Sequence, residues 1–293
     1  MQKTKAPKTQ HKDAKTMFLL GDEAREEAKK SIKGLVAHAK ASDEDHHSAL
    51  YLVINTKIHL VKENDHTPRI IPLTHKLHKI DERTICLITN DPVNFYKDEL
   101  QKKGLPTEDL FRQIISFTKA KLFGHSKKAL VRLYKENEVI LADARIYKKL
   151  PDVLGPQFYA RNKKVPYIIQ MAKPEPGIRT HGKRELRVDP KYVRNQVKAI
   201  TGNTSYIPPA GGFCFHVVVG YTDWKTLEIL TNINDVILYF VDEKYKPVGG
   251  LLGKLSNLHS VLIRTSDSIA MPVMKKKEEA AEEDESGSEF DFE

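Results

Sequence analysis

Cysteine is scarce in this chain: Cys86 and Cys214 are the only two among 293 residues. Each lies in an apolar strand-like run, Thr84 to Thr89 and Phe213 to Val219, far from the other in sequence. The expectation is two buried free thiols in a reducing compartment rather than a disulfide framework. No apolar run approaches the roughly 18 residues that span a bilayer, and residues 1–16 hold no signal-peptide apolar region, so a soluble globular protein without a membrane partner is expected. Catalytic signatures are missing too. There is no Gly-x-Ser-x-Gly, and neither cysteine stands in a nucleophile context. His75 and His78 are three apart but have no cysteine or HExxH beside them, which points to solvated loop histidines and no metal. Gly249 to Lys254 reads GGLLGK, yet a phosphate loop needs four residues between its glycines and a hydroxyl after its lysine, where Leu255 stands. Asn90-Asp91-Pro92 occupies the place where a dinucleotide-binding sheet carries its glycines. The reading is no enzyme, no cofactor and no small-molecule substrate.

What the chain has is positive charge. The formal net charge is +9, but nine of the 39 acidic residues fall in residues 278–293, so the remainder holds 48 basic against 30 acidic residues, a net +18. Such a body favours a polyanionic partner, and nucleic acid is the commonest. Lys3, Lys5, Lys8, Lys12 and Lys15 make residues 1–16 a basic arm expected to be disordered, suited to a nuclear or nucleolar address or to touching RNA. Residues 275–293 are too acidic to pack and are expected to be a disordered tail. Ser286 and Ser288, set among acids, are its predicted phosphorylation sites.

Hydrophobic periodicity places a helix over 18–40 and a strand over 50–60, with a shorter extended piece at 69–73. From Thr84 four apolar runs, TICLIT, IISFTKAK, EVILAD and VPYIIQM, alternate with helix-sized segments, the pattern of a parallel sheet with helices on its faces. Beyond a Pro/Gly-rich KPEPG hinge come a helix capped by Asp189-Pro190, a strand at 213–221, a helix over 222–240 and a strand at 259–263. In that last helix Leu227, Leu230, Ile233, Ile237 and Phe240 form the expected buried stripe. The first third is too small for a core and the last third supplies the missing pieces. One discontinuous α+β domain of residues 17–78 and 174–274 is therefore expected, with residues 79–173 inserted as a Rossmann-like α/β unit.

Candidate contacts to RNA follow from these elements. Asn55, Lys57 and His59 alternate along the first strand and should share its outer face, offering amide, ammonium and imidazole donors. Arg264, Thr265 and Ser266 open RTSDS, rich in hydroxyls suited to sugars and phosphates, and Lys254 lies in the preceding glycine loop. Arg161, Lys163 and Lys164 form a basic knuckle within LPDVLGPQFYARNKKVPYIIQM, residues 150–171. That knuckle could equally be a protein-facing patch.

RIIPLTHKL (69–77), LITNDP (87–92), the run from Ala142 to Met171, NTSYIP (203–208), VGY (219–221) and LIRTSDSIAMP (262–272) together resemble the ribosomal-protein L-one domain family. The likeness is to its nucleolar assembly-factor branch, with a fungal member in the small-subunit processome. The resemblance implies a two-domain α/β fold, a split α+β domain interrupted by a three-layer Rossmann-like insertion. It implies a non-enzymatic, RNA-binding ribosome assembly factor in the nucleolus that acts in rRNA processing. Its partners would be pre-ribosomal RNA, other assembly factors and ribosomal proteins, with no homo-oligomer. Alternatives are a protein scaffold with a decayed RNA face, or a large-subunit precursor factor of the same family. The family's RNA contacts come from its first strand and a Thr-Thr-Met-Gly segment, which falls here on Thr265, Ser266, Asp267 and Ser268. Asp267 and Ser268 replace Met and Gly; an acid repels phosphate, and the lost glycine removes the closest backbone approach. The first strand departs as well, opening on Ser48-Ala49-Leu50-Tyr51 without the family's Phe-Asp-Glu.

Overall fold

The computed structural model describes residues 18–41, 47–63, 65–160, 164–174, 187–209 and 211–274. Helix α1, Asp22–Ala41, buries Ala24, Ala28, Ile32, Leu35 and Ala39 along one stripe. It starts later than its periodicity suggested, because the Gly21 N–H closes a turn on the Phe18 carbonyl and Gly21 adopts φ +95°, which stops a helix there. The next strand, β1, is Ala49–Thr56, with every second residue buried. Its ladder ends at Thr56 rather than Leu60, where the Thr56 hydroxyl turns back to the Ile58 carbonyl at 2.8 Å.

β1 is a central strand of an antiparallel sheet ordered β10-β9-β1-β8, with β8 at Cys214–Tyr221, β9 at Leu258–Arg264 and β10 at Met271–Met274. One face of this sheet packs its alternate residues Leu52, Ile54, Val217, Val219, Val261 and Ile263 into a core with α1 and with α8, Thr226–Val241. The Ser31 hydroxyl donates to the Pro272 carbonyl at 2.6 Å and fastens α1 to the edge strand. α8 starts at Thr226, not Thr222, because Thr222 is held in the turn after β8: its N–H donates to the Ser48 carbonyl and its hydroxyl accepts from the Ser48 N–H. Leu227 is 62% exposed because, at about 100° per residue, it stands nearly opposite the buried Ile229 and Val236 and off the buried stripe.

The second sheet is parallel throughout, in the order β4-β3-β5-β6: β3 Ile85–Thr89, β4 Gln113–Ser116, β5 Val139–Asp143 and β6 Tyr167–Ile169. All five residues of β3 are buried, as expected of a strand covered on both faces. β4 is shorter than its apolar run, because the Ser116 side chain accepts from the Lys119 N–H and caps α3, Phe117–Gly124. Cys86, Ile88, Ile140 and Ala142 face α3, α4 (Lys127–Glu136), α5 (Leu150–Leu154) and α6 (Pro156–Tyr159). Ile85, Leu87, Leu141 and Ile169 face α2 (Val93–Leu100) and α7 (Pro190–Gly202). These are the three layers of a Rossmann-like unit. α7 follows the expected boundary at residue 174, yet its Val193 and Val197 complete the core beneath this parallel sheet.

A two-stranded ribbon connects the halves: β2, Arg69–Ile71, on the outward crossing pairs antiparallel with β7, Thr204–Tyr206, on the return. Asn203 accepts from the Leu73 N–H and the Lys76 ammonium through one side-chain oxygen, at 2.9 and 2.7 Å. Asn232, fully buried in α8, accepts from the His75 N–H at 3.0 Å and donates to the carbonyls of His75 and Val219 at 3.0 and 2.9 Å. Replacing Asn232→Ala leaves those buried groups unpaired and should cost about 2–4 kcal/mol. Urea unfolding is the check, and a loss below about 1 kcal/mol contradicts the bridging role.

Candidate nucleic-acid interface

The face of the antiparallel sheet turned away from α1 and α8 carries no helix among the described residues. Strand alternation lays its side chains in three rows across β9, β1 and β8: Arg264, Tyr51 and Val218; Leu262, Val53 and His216; Ser260, Asn55 and Cys214. All are exposed or half-buried. Cys214 is therefore not the buried thiol expected; it is the first residue of β8 and alternation turns it outward. Cys86 is buried, and burial pushes its thiol up to about 12.

Tyr51 and His216 meet edge to face, ring centres 5.7 Å apart at 74°. Burial, and then the charge of Arg264, lowers the His216 pKa and favours the neutral ring. Asn55 donates from Nδ2 to the Ser260 hydroxyl at 2.8 Å, a cross-strand pair. An aromatic pair, a cationic arginine and a polar row on one sheet face make a surface for stacking bases and binding phosphates.

The sequence-predicted contacts separate into two rims. Exposed Lys57 and His59 continue the β1 alternation past the end of the ladder, where the Lys57 N–H donates to the Asn257 carbonyl. That bond brings exposed Lys254, just before the turn Leu255–Asn257, to the same end. His59 lies over Phe213, with ring centres 4.2 Å apart. Arg264, Thr265 and Ser266 belong to the opposite rim, about 14 Å away along β9 from Ser260 at the strand's rise per residue. There Thr265 is a structural residue, 1% exposed: its N–H donates to the Ser268 hydroxyl, and its own hydroxyl accepts from the Ser268 N–H. Ser266 is exposed but donates to the Asp267 carboxylate at 2.8 Å.

The knuckle is divided as well. Arg161 and Lys163 lie outside the described residues, as do Ser286 and Ser288. Lys164 donates to the Tyr134 and Asn137 carbonyls at 2.6 and 2.9 Å and sits 4.1 Å above the Tyr134 ring. It caps the C-terminus of α4, where a cation offsets the helix dipole, and burial lowers its pKa. Gly249 and Gly250 are also structural. A Cβ on Gly249 would come within 2.7 Å of the Tyr239 and Tyr245 side chains, and Gly250 has φ +66°.

Across the open face stands the edge of the inserted unit, leaving two adjoining clefts. One, of about 410 Å³, is lined by Glu138, Lys164, Tyr167, Ser205, Cys214 and His216. The other, of about 320 Å³, is lined by Tyr51, His78, Arg83, Tyr167, Val218 and Tyr221. At the floor, His78 Nε2 receives both the Tyr221 hydroxyl, at 2.7 Å, and the Arg83 guanidinium, while Arg83 also pairs with Glu138 at 3.2 Å. Sequence reasoning missed Tyr51, His216 and Ser260, although strict alternation in the strand at 213–221 and across from Asn55 carried the signal. Among the described residues no group of three or more acid, histidine or cysteine side chains could hold a metal ion, and no helix is long and apolar enough to cross a membrane.

A family model described as "Ribosomal protein L1p/L10e family" matches residues 26–269. The chain belongs to that family. "Ribosome biogenesis protein UTP30" of Saccharomyces cerevisiae is 36% identical over 261 residues, covering 86% of this chain and 90% of that protein. "Ribosomal L1 domain-containing protein 1" of Mus musculus is 28% identical over 210 residues, 69% of this chain and 40% of that longer protein. The whole parallel sheet, and both rims of the open sheet face, lie inside the matched span.

Burial, then the positive charge of Arg83, lowers the His78 pKa from 6.5 to about 4. A depressed histidine means that the unfolded chain binds the proton first, so the stabilising effect is present above about pH 6.5 and lost as pH falls toward about 4. Urea midpoints at pH 7 and pH 4.5 should drop less in His78→Asn than in the unaltered chain; equal drops would contradict this.

Proposed function

We propose that this L1-family protein is a non-enzymatic ribosome assembly factor that binds pre-ribosomal RNA on the open face of its antiparallel sheet. The observation that carries the reading is the Arg264–Tyr51–His216 cluster, bordered at one end by Lys57, His59 and Lys254. The name of the Saccharomyces cerevisiae relative, a ribosome biogenesis protein, supports the assembly role. Unpaired bases stack on aromatic side chains such as Tyr51 and His216, so the favoured ligand is a single-stranded or looped RNA segment. The small-subunit processome is the proposed setting, with other assembly factors and ribosomal proteins as neighbours. Nucleus and nucleolus are the proposed location, reached with the basic arm of residues 1–16. We also propose a split domain of residues 17–78 and 174–274 around an insertion of residues 79–173, with α7 bracing the insertion from outside those bounds.

A second reading is favoured by one observation. Thr265 is turned inward and Asp267 is exposed, so the rim matching the family's Thr-Thr-Met-Gly segment is no phosphate grip. A protein scaffold with a decayed RNA face accounts for that rim. Crosslinking within purified pre-ribosomes separates the two readings, since contacts to protein alone favour the scaffold.

Two outcomes test the first reading. Filter binding to a single-stranded RNA should weaken steeply with salt, and Lys57→Ala with Lys254→Ala should reduce the slope of log affinity against log salt by about 1–2. Tyr51→Ala or His216→Ala should cost about 1–3 kcal/mol of binding with the slope unchanged. Affinity that ignores both pairs of substitutions places the RNA elsewhere. Intact-mass measurement of the native protein should show phosphate on Ser286 and Ser288, and an unmodified mass counts against those sites.

A further inference from the structure

The edge strand β10 delivers the chain to one particular end of the open face. Met274 pairs with Val261, one residue from Ser260, which lies opposite Asn55. The chain is therefore heading toward the rim of Lys57, His59 and Lys254 when it leaves the described residues. Lys275, Lys276 and Lys277 follow, and nine acids lie in residues 278–293. We propose that this acidic segment docks on the Lys57–Lys254 rim of its own chain and competes there with nucleic acid, its carboxylates taking the place of phosphates.

Reach and charge support the assignment. One strand, β9, separates β10 from β1, so the lateral distance is two strand spacings, about 10 Å. Met274 is level with Ile54, and Lys57 lies three residues or about 10 Å further along β1, so the diagonal is about 14 Å. The four steps from Met274 to Glu278 span about 13 Å when extended, which brings carboxylates from Glu278 onward within range of the long Lys57 side chain. Lys57 and Lys254 are exposed at this end, whereas the opposite rim displays Asp267, which repels carboxylates. Phe213, 46% exposed beside His59, offers a ring to Phe290 or Phe292 of the same segment. The inserted unit presents another basic surface at Lys127 and Lys128, the start of α4. It lies on the helix layer of the parallel sheet rather than beside the exit of β10.

The competition rests on the RNA-binding reading; the docking does not. Zero-length carbodiimide coupling of the full chain, mapped by mass spectrometry, should join carboxylates of residues 278–293 to Lys57 or Lys254, and the products should vanish in high salt. Products confined to Lys127 and Lys128, or to Lys275 to Lys277, overturn the docking. In parallel, a chain stopped after Lys277 should bind a single-stranded RNA about tenfold tighter than the full chain at low salt, with the gap closing as salt screens the contact. Equal affinity of the two forms overturns the competition. If neither form binds RNA while the Lys57 and Lys254 products appear, the RNA reading fails and the docking stands.

Discussion

The Asn232 amide is the fixed point from which the rest of the fold is hung. A domain interrupted by another has two chain crossings, and each would be a loop with unpaired backbone groups unless something fixed it. Here the outward crossing is held at His75 from α8, and Val219 of β8 is held by the same amide group. The return crossing is held by Asn203, whose side-chain oxygen accepts from Leu73 and Lys76 of the outward one. Pairing β2 with β7 then turns two connections into one ribbon. This explains why RIIPLTHKL and NTSYIP carried so much of the family likeness: they are two sides of a single contact.

That contact has consequences on both sides. Toward the parallel sheet, it fixes the register from which α7 runs beneath β6 and buries Val193 and Val197. Toward the antiparallel sheet, it sets the distance between the open face and the edge of the inserted unit. His78, Tyr221, Arg83 and Glu138 join across that gap at its floor, and Tyr167 with Ser205 does so further up, at 2.8 Å. The open face is thus the bottom of a cleft whose width depends on polar contacts. Polar contacts exchange readily with water, whereas the apolar cores on either side do not.

Much of this was legible in the sequence. Alternation in ALYLVINT and the four apolar runs of the middle gave the two sheets, because period two and continuous burial leave direct marks on residue choice. Element ends were less legible. Ser116 as a cap, Gly21 as a stop and Thr222 as a turn residue act through hydrogen bonds to particular neighbours, which hydrophobic pattern does not record. The site was half legible for the same reason. Lys57, His59 and Lys254 could be named from charge, but Thr265 reads as a sugar contact until the Ser268 hydroxyl is seen closing its turn. Lys164 reads as a free cation until two carbonyls at the end of α4 are seen to hold it.

The departure at Asp267 and the cluster at Tyr51 belong to one physical account. A phosphate grip at the Thr265 rim needs backbone N–H groups open to the ligand, and here the N–H groups of Thr265 and Ser268 are spent on each other's side chains. With that rim closed, the RNA-binding reading proposed above places the attraction for a polyanion elsewhere on the same face. Arg264 remains exposed at the head of the row, and Lys57 and Lys254 border the foot. On that reading the Lys57 end is the stronger anchor, because at the Thr265 rim the exposed Asp267 offsets the attraction of Arg264. A strand of RNA lying along β1 would accordingly be anchored at the Lys57 end and carry its bases toward Tyr51 and His216.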